Sequence, residues 1–101
     1  MKQFLIRYSF KNGSEEQWHR DIAAFIAALD GDPELRGKIG YRCMKRVDGS
    51  DYYHLATPSD DDAVKALQAT TYFGKYSELT KRVAGGEVEV IPLQTIAQTT
   101  S

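Results

Sequence analysis

The apolar residues of this chain recur with a period of two, then of three to four, then of two twice over, then of three to four, then of two again, and few folds satisfy that order. Phe4, Ile6, Tyr8 and Phe10 alternate with Leu5, Arg7 and Ser9, as an amphipathic strand requires. Asn12-Gly13 ends that strand. Ser14 with Gln17 three residues on reads as a capping box, and Glu15 and Glu16 suit the positive end of a helix, so a helix begins at about Ser14. Trp18, Ile22, Phe25, Ile26 and Leu29 form its apolar stripe, which ends at Asp30-Gly31-Asp32-Pro33.

Two strands, Ile39 to Val47 and Asp51 to Thr57, flank Asp48-Gly49, a strong hairpin signal. With Asp48 and Gly49 as the loop, Arg46 faces Asp51 and Cys43 faces His54; a four-residue loop shifts the partners but keeps Tyr41, Cys43, Tyr52 and His54 on one face, whereas a three-residue loop separates them. Ser59 then caps a second helix with Asp60, Asp61 and Asp62 in its first turn, and Thr70-Thr71 breaks or recaps it. Tyr72, Phe73, Tyr76, Leu79 and Val83 make the next helical stripe, Gly85-Gly86 stops it, and Glu87 to Ile91 alternates as a last strand whose pairing Pro92 limits.

The order βαββαβ predicts an α+β, ferredoxin-like antiparallel sheet with its helices on one face. A chain of 101 residues holds one such domain, spanning 1-101. The other sheet face then carries Leu5, Ile91 and Leu93 among charges such as Arg7 and Glu89, and an apolar face of that size is rarely left to water. The expected partner is therefore a second copy, the two sheets packing face to face as a homodimer. The tail, 94-101, either frays or lends Leu93 and Ile96 to that partner.

Thirteen basic against fourteen acidic residues give a net charge of -1, without the basic excess that a phosphate backbone demands, so nucleic acid is not an expected partner. The start MKQFLIRYSF lacks the long apolar core of a signal, no stretch approaches the ~20 apolar residues that span a bilayer, and the single Cys43 indicates no oxidising compartment; a cytoplasmic protein with no membrane partner is expected. His19 and His54 stand far apart without metal-ligand spacing, and no glycine-rich phosphate loop links a strand to a helix, so neither a metal nor a nucleotide cofactor is expected. The Asp60-Asp61-Asp62 run is explained by capping and the helix dipole.

The segment LQATTYFGKYSELTKRVAGGEVEV, Leu67 to Val90, resembles the closing helix and strand of antibiotic-biosynthesis-monooxygenase-type domains, small members of the dimeric α/β-barrel superfamily. The turn Gly37-Lys38-Ile39-Gly40-Tyr41 is similar to that family's entry into its second strand. The resemblance implies a dimeric α/β barrel with a pocket between sheet and helices in each subunit. It brings in cofactor-free oxygenases of quinols or polycyclic phenols, and haem-degrading enzymes. Tyr72 stands at the position where quinol-oxidising relatives commonly carry a histidine and Tyr76 where haem-degrading relatives carry their iron-binding histidine, which disfavours haem degradation.

The leading expectation is thus a small dimeric, cofactor-independent monooxygenase acting on an electron-rich phenol or quinol, the substrate itself reducing dioxygen. His54 is the candidate general base, its imidazole having a suitable pKa, and Tyr72 the candidate donor to the oxyanion. Trp18, Tyr8, Phe25, Tyr41 and Tyr76 are candidate substrate-binding residues, able to stack on a planar small aromatic molecule. The same side chains at the same spacing also serve as plain core, and a strand histidine as a hydrogen-bonded core residue. Cys43 opposite His54 is a weaker candidate nucleophile. Two other classes compete: an isomerase or lyase of the same superfamily, with Arg7 or Arg42 holding a carboxylate, and a binding or assembly module without turnover, in which side chains close the space between Trp18, Phe25, Tyr8 and Tyr72.

Overall fold

In the computed structural model, which describes residues 2–100, seven elements follow the expected order: β1 (Lys2–Ser9), α1 (Glu15–Asp30), β2 (Ile39–Lys45), β3 (Asp51–Pro58), α2 (Asp61–Gln68), α3 (Thr71–Val83) and β4 (Glu89–Gln94). The four strands form one antiparallel sheet in the order β2-β3-β1-β4, the ferredoxin-like arrangement. Cys43 is opposite His54 and Ile6 is opposite His54 on the other side, so the histidine sits mid-sheet with a strand on each flank.

Local chemistry explains most boundaries. Ser14 caps α1 by accepting from the backbone N–H of Gln17 (3.2 Å), while the Gln17 side-chain oxygen, the acceptor a reciprocal capping box would use, accepts from Arg20 at 2.8 Å and its NH2 donates to Asp21. The hairpin keeps the register of an Asp48-Gly49 loop, with Arg46 N–H donating to Asp51 C=O at 2.9 Å. Neither Asp48 nor Gly49 takes a positive φ, so the tip is not the mirror-image turn that usually favours this dipeptide. The second helix is capped one residue later than expected. Strand pairing runs through Pro58, the Ser59 N–H donates to Lys38 C=O, and Asp60 accepts from Ala63 N–H at 2.8 Å.

Thr70 does the work of a break, accepting from Phe73 N–H to start α3 while its own hydroxyl donates to Leu67 C=O. At the far end Gly85 and Gly86 take φ of 66° and 88°, and their N–H groups donate to the carbonyls of Arg82 and Lys81, which is a complete Schellman cap. The last strand is displaced two or three residues toward the C-terminus and contains Pro92, tolerated because β4 is an edge strand that need not donate outward at that position. Beyond Gln94, residues 95–100 form no helix or strand, and Ile96 is almost wholly exposed.

The core lies between sheet and helices. Tyr8, Tyr52 and His54 from the strands meet Trp18, Phe25 and Leu29 of α1 and Tyr76 and Val83 of α3. No helix is long and apolar enough to cross a membrane among the described residues. No helix among the described residues covers the opposite sheet face. There Leu5 pairs with Leu55 and with Ile91, Met44 and Leu93 are 40% and 39% exposed, and Arg7 pairs with Glu89 at 3.4 Å.

Candidate active site

Three aromatic side chains and a histidine from four elements converge where β3 passes under α3. Alternation points Tyr41 of β2, His54 of β3 and Tyr8 of β1 to the helix side, and Tyr76 descends from the middle of α3. His54 has no exposed surface, and both ring nitrogens have partners: Nε2 lies 2.8 Å from the Tyr8 hydroxyl and Nδ1 lies 2.8 Å from the Tyr76 hydroxyl. The Tyr41 hydroxyl stands 3.5 Å from the same Nδ1. Behind Tyr8, the indole N–H of Trp18 donates to the Tyr8 oxygen at 2.9 Å. Ring stacking holds these groups in place: Tyr76 lies on Phe25 with centroids 3.9 Å apart and on Trp18 at 5.8 Å, and Tyr8 lies flat on Tyr52 at 5.4 Å.

Burial sets the protonation states. Desolvation lowers the His54 pKa to about 4, so the imidazole is neutral at pH 7. Desolvation also raises Tyr76, Tyr8 and Tyr41 far above the ordinary phenol value, so all three keep their protons. Cys43 lies 3.7 Å from the Tyr76 hydroxyl, and burial pushes its thiol up to about 11; it is no thiolate nucleophile near neutrality.

Next to this cluster, between the sheet and the α2–α3 pair, opens a cavity of about 380 Å³. Its walls are mostly apolar: Phe4 and Ile6 of β1, Ile39 of β2, Ala56 of β3, Leu67 of α2 and Phe73 of α3. Tyr41, His54 and Tyr76 supply one polar patch and Lys81 a charge, with no carboxylate among the described residues that line it. Because His54 has no surface of its own, the cavity meets the polar cluster through Tyr76 and Tyr41. A second depression of about 320 Å³ at the strand ends is bordered by charges that neutralise one another, Arg7 with Glu89 and Lys11 with Glu87.

The structure therefore separates the sequence-expected residues into three groups. Tyr41, His54 and Tyr76 gather at the cavity. Tyr8, Trp18 and Phe25 are packed in the core behind it and close the space between Trp18, Phe25, Tyr8 and Tyr72, as the module reading expects, while the open volume lies on the α2–α3 side. Tyr72 lies one helical turn from Tyr76, is not among the cavity residues, and donates its hydroxyl to Asp32 at 2.8 Å, tying α3 to the turn after α1. Arg7 and Arg42 fall on the sheet face away from the helices and cannot hold a carboxylate in this cavity. Thr80 and Lys81, absent from the expected site, reach it one turn beyond Tyr76 and Ser77 on α3; their signal was the i, i+4 spacing of Thr80 from Tyr76 and of Lys81 from Ser77.

Neither a family model nor a curated protein matches the chain in sequence. Solved structures do match it in shape over nearly its whole length. SnoaB from Streptomyces nogalater, a cofactor-independent oxygenase, is 15% identical with a TM-score of 0.78, covering 99% of this chain and 97% of that one. An antibiotic biosynthesis monooxygenase is 11% identical with a TM-score of 0.78, covering 96% of this chain and all of the other. PA3566 from Pseudomonas aeruginosa is 19% identical with a TM-score of 0.73, covering 95% and 94%. The fold of this chain is thus the ferredoxin-like α+β fold of antibiotic-biosynthesis-monooxygenase-type proteins, as its element order and its closing helix and strand led one to expect.

Proposed function

We propose that the protein is a small cofactor-independent monooxygenase that binds an electron-rich phenol or quinol in the helix-side cavity. The observation that carries this reading is the meeting of an open, largely apolar volume with a hydrogen-bonded polar cluster, Tyr41–Tyr76–His54, in a fold shared with a cofactor-independent oxygenase. The apolar walls suit a planar aromatic body, and the hydroxyls of Tyr41 and Tyr76 suit its ring oxygen. Loss of the substrate proton makes an anion able to reduce dioxygen. One oxygen atom enters the ring, the other leaves as water, and a phenol with a free ring C–H becomes a quinone, so every electron comes from the substrate.

Oxygen consumption by the purified protein with hydroquinone-type and polycyclic phenols tests the reading. Uptake above the uncatalysed rate, lost in Tyr76→Phe and His54→Gln, supports it; a set of such phenols that bind in the cavity without any oxygen uptake would favour the binding-module alternative.

The open sheet face supports the second part of the proposal, that the working unit is a homodimer. The row Leu5–Leu55–Ile91 is flanked by charges of both signs, Arg7 and Arg42 beside Asp51 and Glu89, and such a face is self-complementary, as a two-fold interface between identical copies must be. Analytical ultracentrifugation should give twice the chain mass, and Leu55→Glu should halve it. A monomer across the micromolar range would dismiss this partner.

A further inference from the structure

The polar cluster has a direction. Trp18 can only donate, and its indole N–H donates into the Tyr8 oxygen. The Tyr8 hydroxyl hydrogen then needs an acceptor, and the one within reach among the described residues is Nε2 of His54, at 2.8 Å. Were the proton on Nε2 instead, two donors would converge on the Tyr8 oxygen and its own buried hydrogen would have none to receive it, at a cost of about 1–3 kcal/mol. His54 therefore accepts at Nε2 and carries its proton on Nδ1. That N–H donates to the Tyr76 oxygen at 2.8 Å, which frees the Tyr76 hydroxyl hydrogen to point onward, toward Tyr41, Cys43 or the cavity. Each bond in the series Trp18 → Tyr8 → His54 → Tyr76 polarises the next, and the chain ends as a strengthened donor.

The cavity around that end favours the same sign of ligand. Lys81, whose ammonium lies 3.9 Å from the exposed Glu78 carboxylate, brings a positive charge to its wall, and no carboxylate is among the described residues that line the cavity itself. We propose that the Trp18 indole sets the polarity of this relay so that Tyr76, seconded by Tyr41, donates to an anionic oxygen, and that the cavity selects the phenolate or enolate form of an apolar ligand. Tyr76 is then the catalytic residue that touches substrate, while His54, Tyr8 and Trp18 are positioning residues behind it. His54 acts by passing polarisation outward rather than by taking the substrate proton, which leaves to solvent before or as the anion docks. The inference rests on the phenol-oxidising reading only for the identity of the natural ligand.

The full-length protein can be tested with 4-nitrophenol, whose phenolate absorbs separately from the phenol, and with nitrobenzene as a neutral isostere. The bound 4-nitrophenol should ionise about one pH unit lower than the free probe, equivalent to about tenfold tighter binding of the phenolate than of the phenol. Tyr76→Phe keeps the ring stacked on Phe25 and removes the donor; it should return the probe's ionisation to the free value while nitrobenzene binding changes less than about twofold. Trp18→Phe, which does not touch the cavity, should lose at least half of the shift, a readout that a purely structural role would leave alone. If Trp18→Phe folds poorly, Tyr8→Phe breaks the next link and carries the same expectation. The proposal fails if the bound probe ionises at or above the pH of the free probe, if the relay variants leave the shift intact, or if neither probe binds. Since 4-nitrophenol need not be oxidised, a normal ionisation shift alongside absent oxygen uptake with quinols would sink the oxygenase reading and leave the donor site standing.

Discussion

The hydroxyl of Tyr76 lies 2.8 Å from Nδ1 of His54, while the hydroxyl of Tyr72, one helical turn away, lies 2.8 Å from Asp32. Two tyrosines on one helix thus serve different ends, and their phenylalanine variants should differ accordingly. Tyr72→Phe removes a half-buried bond to a carboxylate and should lower stability by about 1–2 kcal/mol, with oxygen uptake within about twofold of wild type. Tyr76→Phe leaves the buried Nδ1–H of His54 with only the distant Tyr41 oxygen, so it should cost about 1–3 kcal/mol and also reduce uptake at least tenfold. Urea titrations alongside an oxygen electrode separate the two. Equal losses of activity would return Tyr72 to the site.

Acid should loosen the fold through His54. Its folded pKa, about 4, is below the unfolded value of 6.5, so between those limits the unfolded chain binds more protons and stability falls as the pH falls. The contribution is complete above about pH 6.5 and exhausted near pH 4, amounting to at most about 3 kcal/mol. Glu15, whose pKa is held below 4.5 by its hydrogen bond to Lys45, acts in the same direction but only below that value. Unfolding free energies of wild type and His54→Gln at pH 7 and pH 5 isolate the histidine: the drop should be present in wild type and largely absent in the variant. Parallel curves would show that the imidazole is not desolvated as described.

How much of this could be read beforehand depended on whether a residue's role lay in its own element. Period, caps and the Asp48-Gly49 register are local, so the sheet, the side on which His54 faces and the recapping at Thr70 were all legible in the sequence. A pocket between sheet and helices was implied by the family resemblance, but which residues line it was not legible, because that depends on how α3 leans over the sheet. Both Tyr72 and Tyr76 satisfy the same helical stripe, and only the pull of Asp32 on one and of His54 on the other distinguishes them. Trp18 and Tyr8 likewise belong to ordinary apolar faces; that their polar atoms meet follows from packing α1 on β1, which no spacing within either element records. The cap falls on Asp60 rather than on the expected Ser59 because β3 runs on through Pro58, which no signal local to the helix records.

The Schellman cap at the end of α3 should be sensitive in two degrees. Gly85 and Gly86 both have left-handed backbone, so alanine at either is strained by about 1 kcal/mol. At Gly85 a Cβ would also meet the Lys11 side chain at 3.0 Å, whereas at Gly86 it would meet nothing within 4 Å. Thermal unfolding should therefore place Gly85→Ala below Gly86→Ala and both below wild type. Because Lys11 and Asn12 N–H groups donate to the Val83 carbonyl in the same turn, the loss at Gly85 should extend to the β1 end in hydrogen exchange. An unchanged melting temperature for Gly85→Ala would contradict the cap.

Ala56 offers a way to close the cavity without touching its polar patch. It lies on β3 two residues from His54, points to the helix side and forms part of the cavity wall. Leucine there adds three carbon atoms that can extend into open volume rather than into packed core, so burial should offset the strain and stability should stay within about 1 kcal/mol of wild type. The occupied space is no longer available to an aromatic ring. Binding of nitrobenzene and of 4-nitrophenol should each weaken by about tenfold or more, and oxygen uptake with polycyclic phenols should fall more than with hydroquinone, since the larger substrates need the volume first. Isothermal titration with both probes checks the first expectation and relative uptake rates the second. Undiminished binding in a folded Ala56→Leu protein would show that aromatic ligands bind elsewhere, and the role assigned to Tyr76 would fall with the cavity.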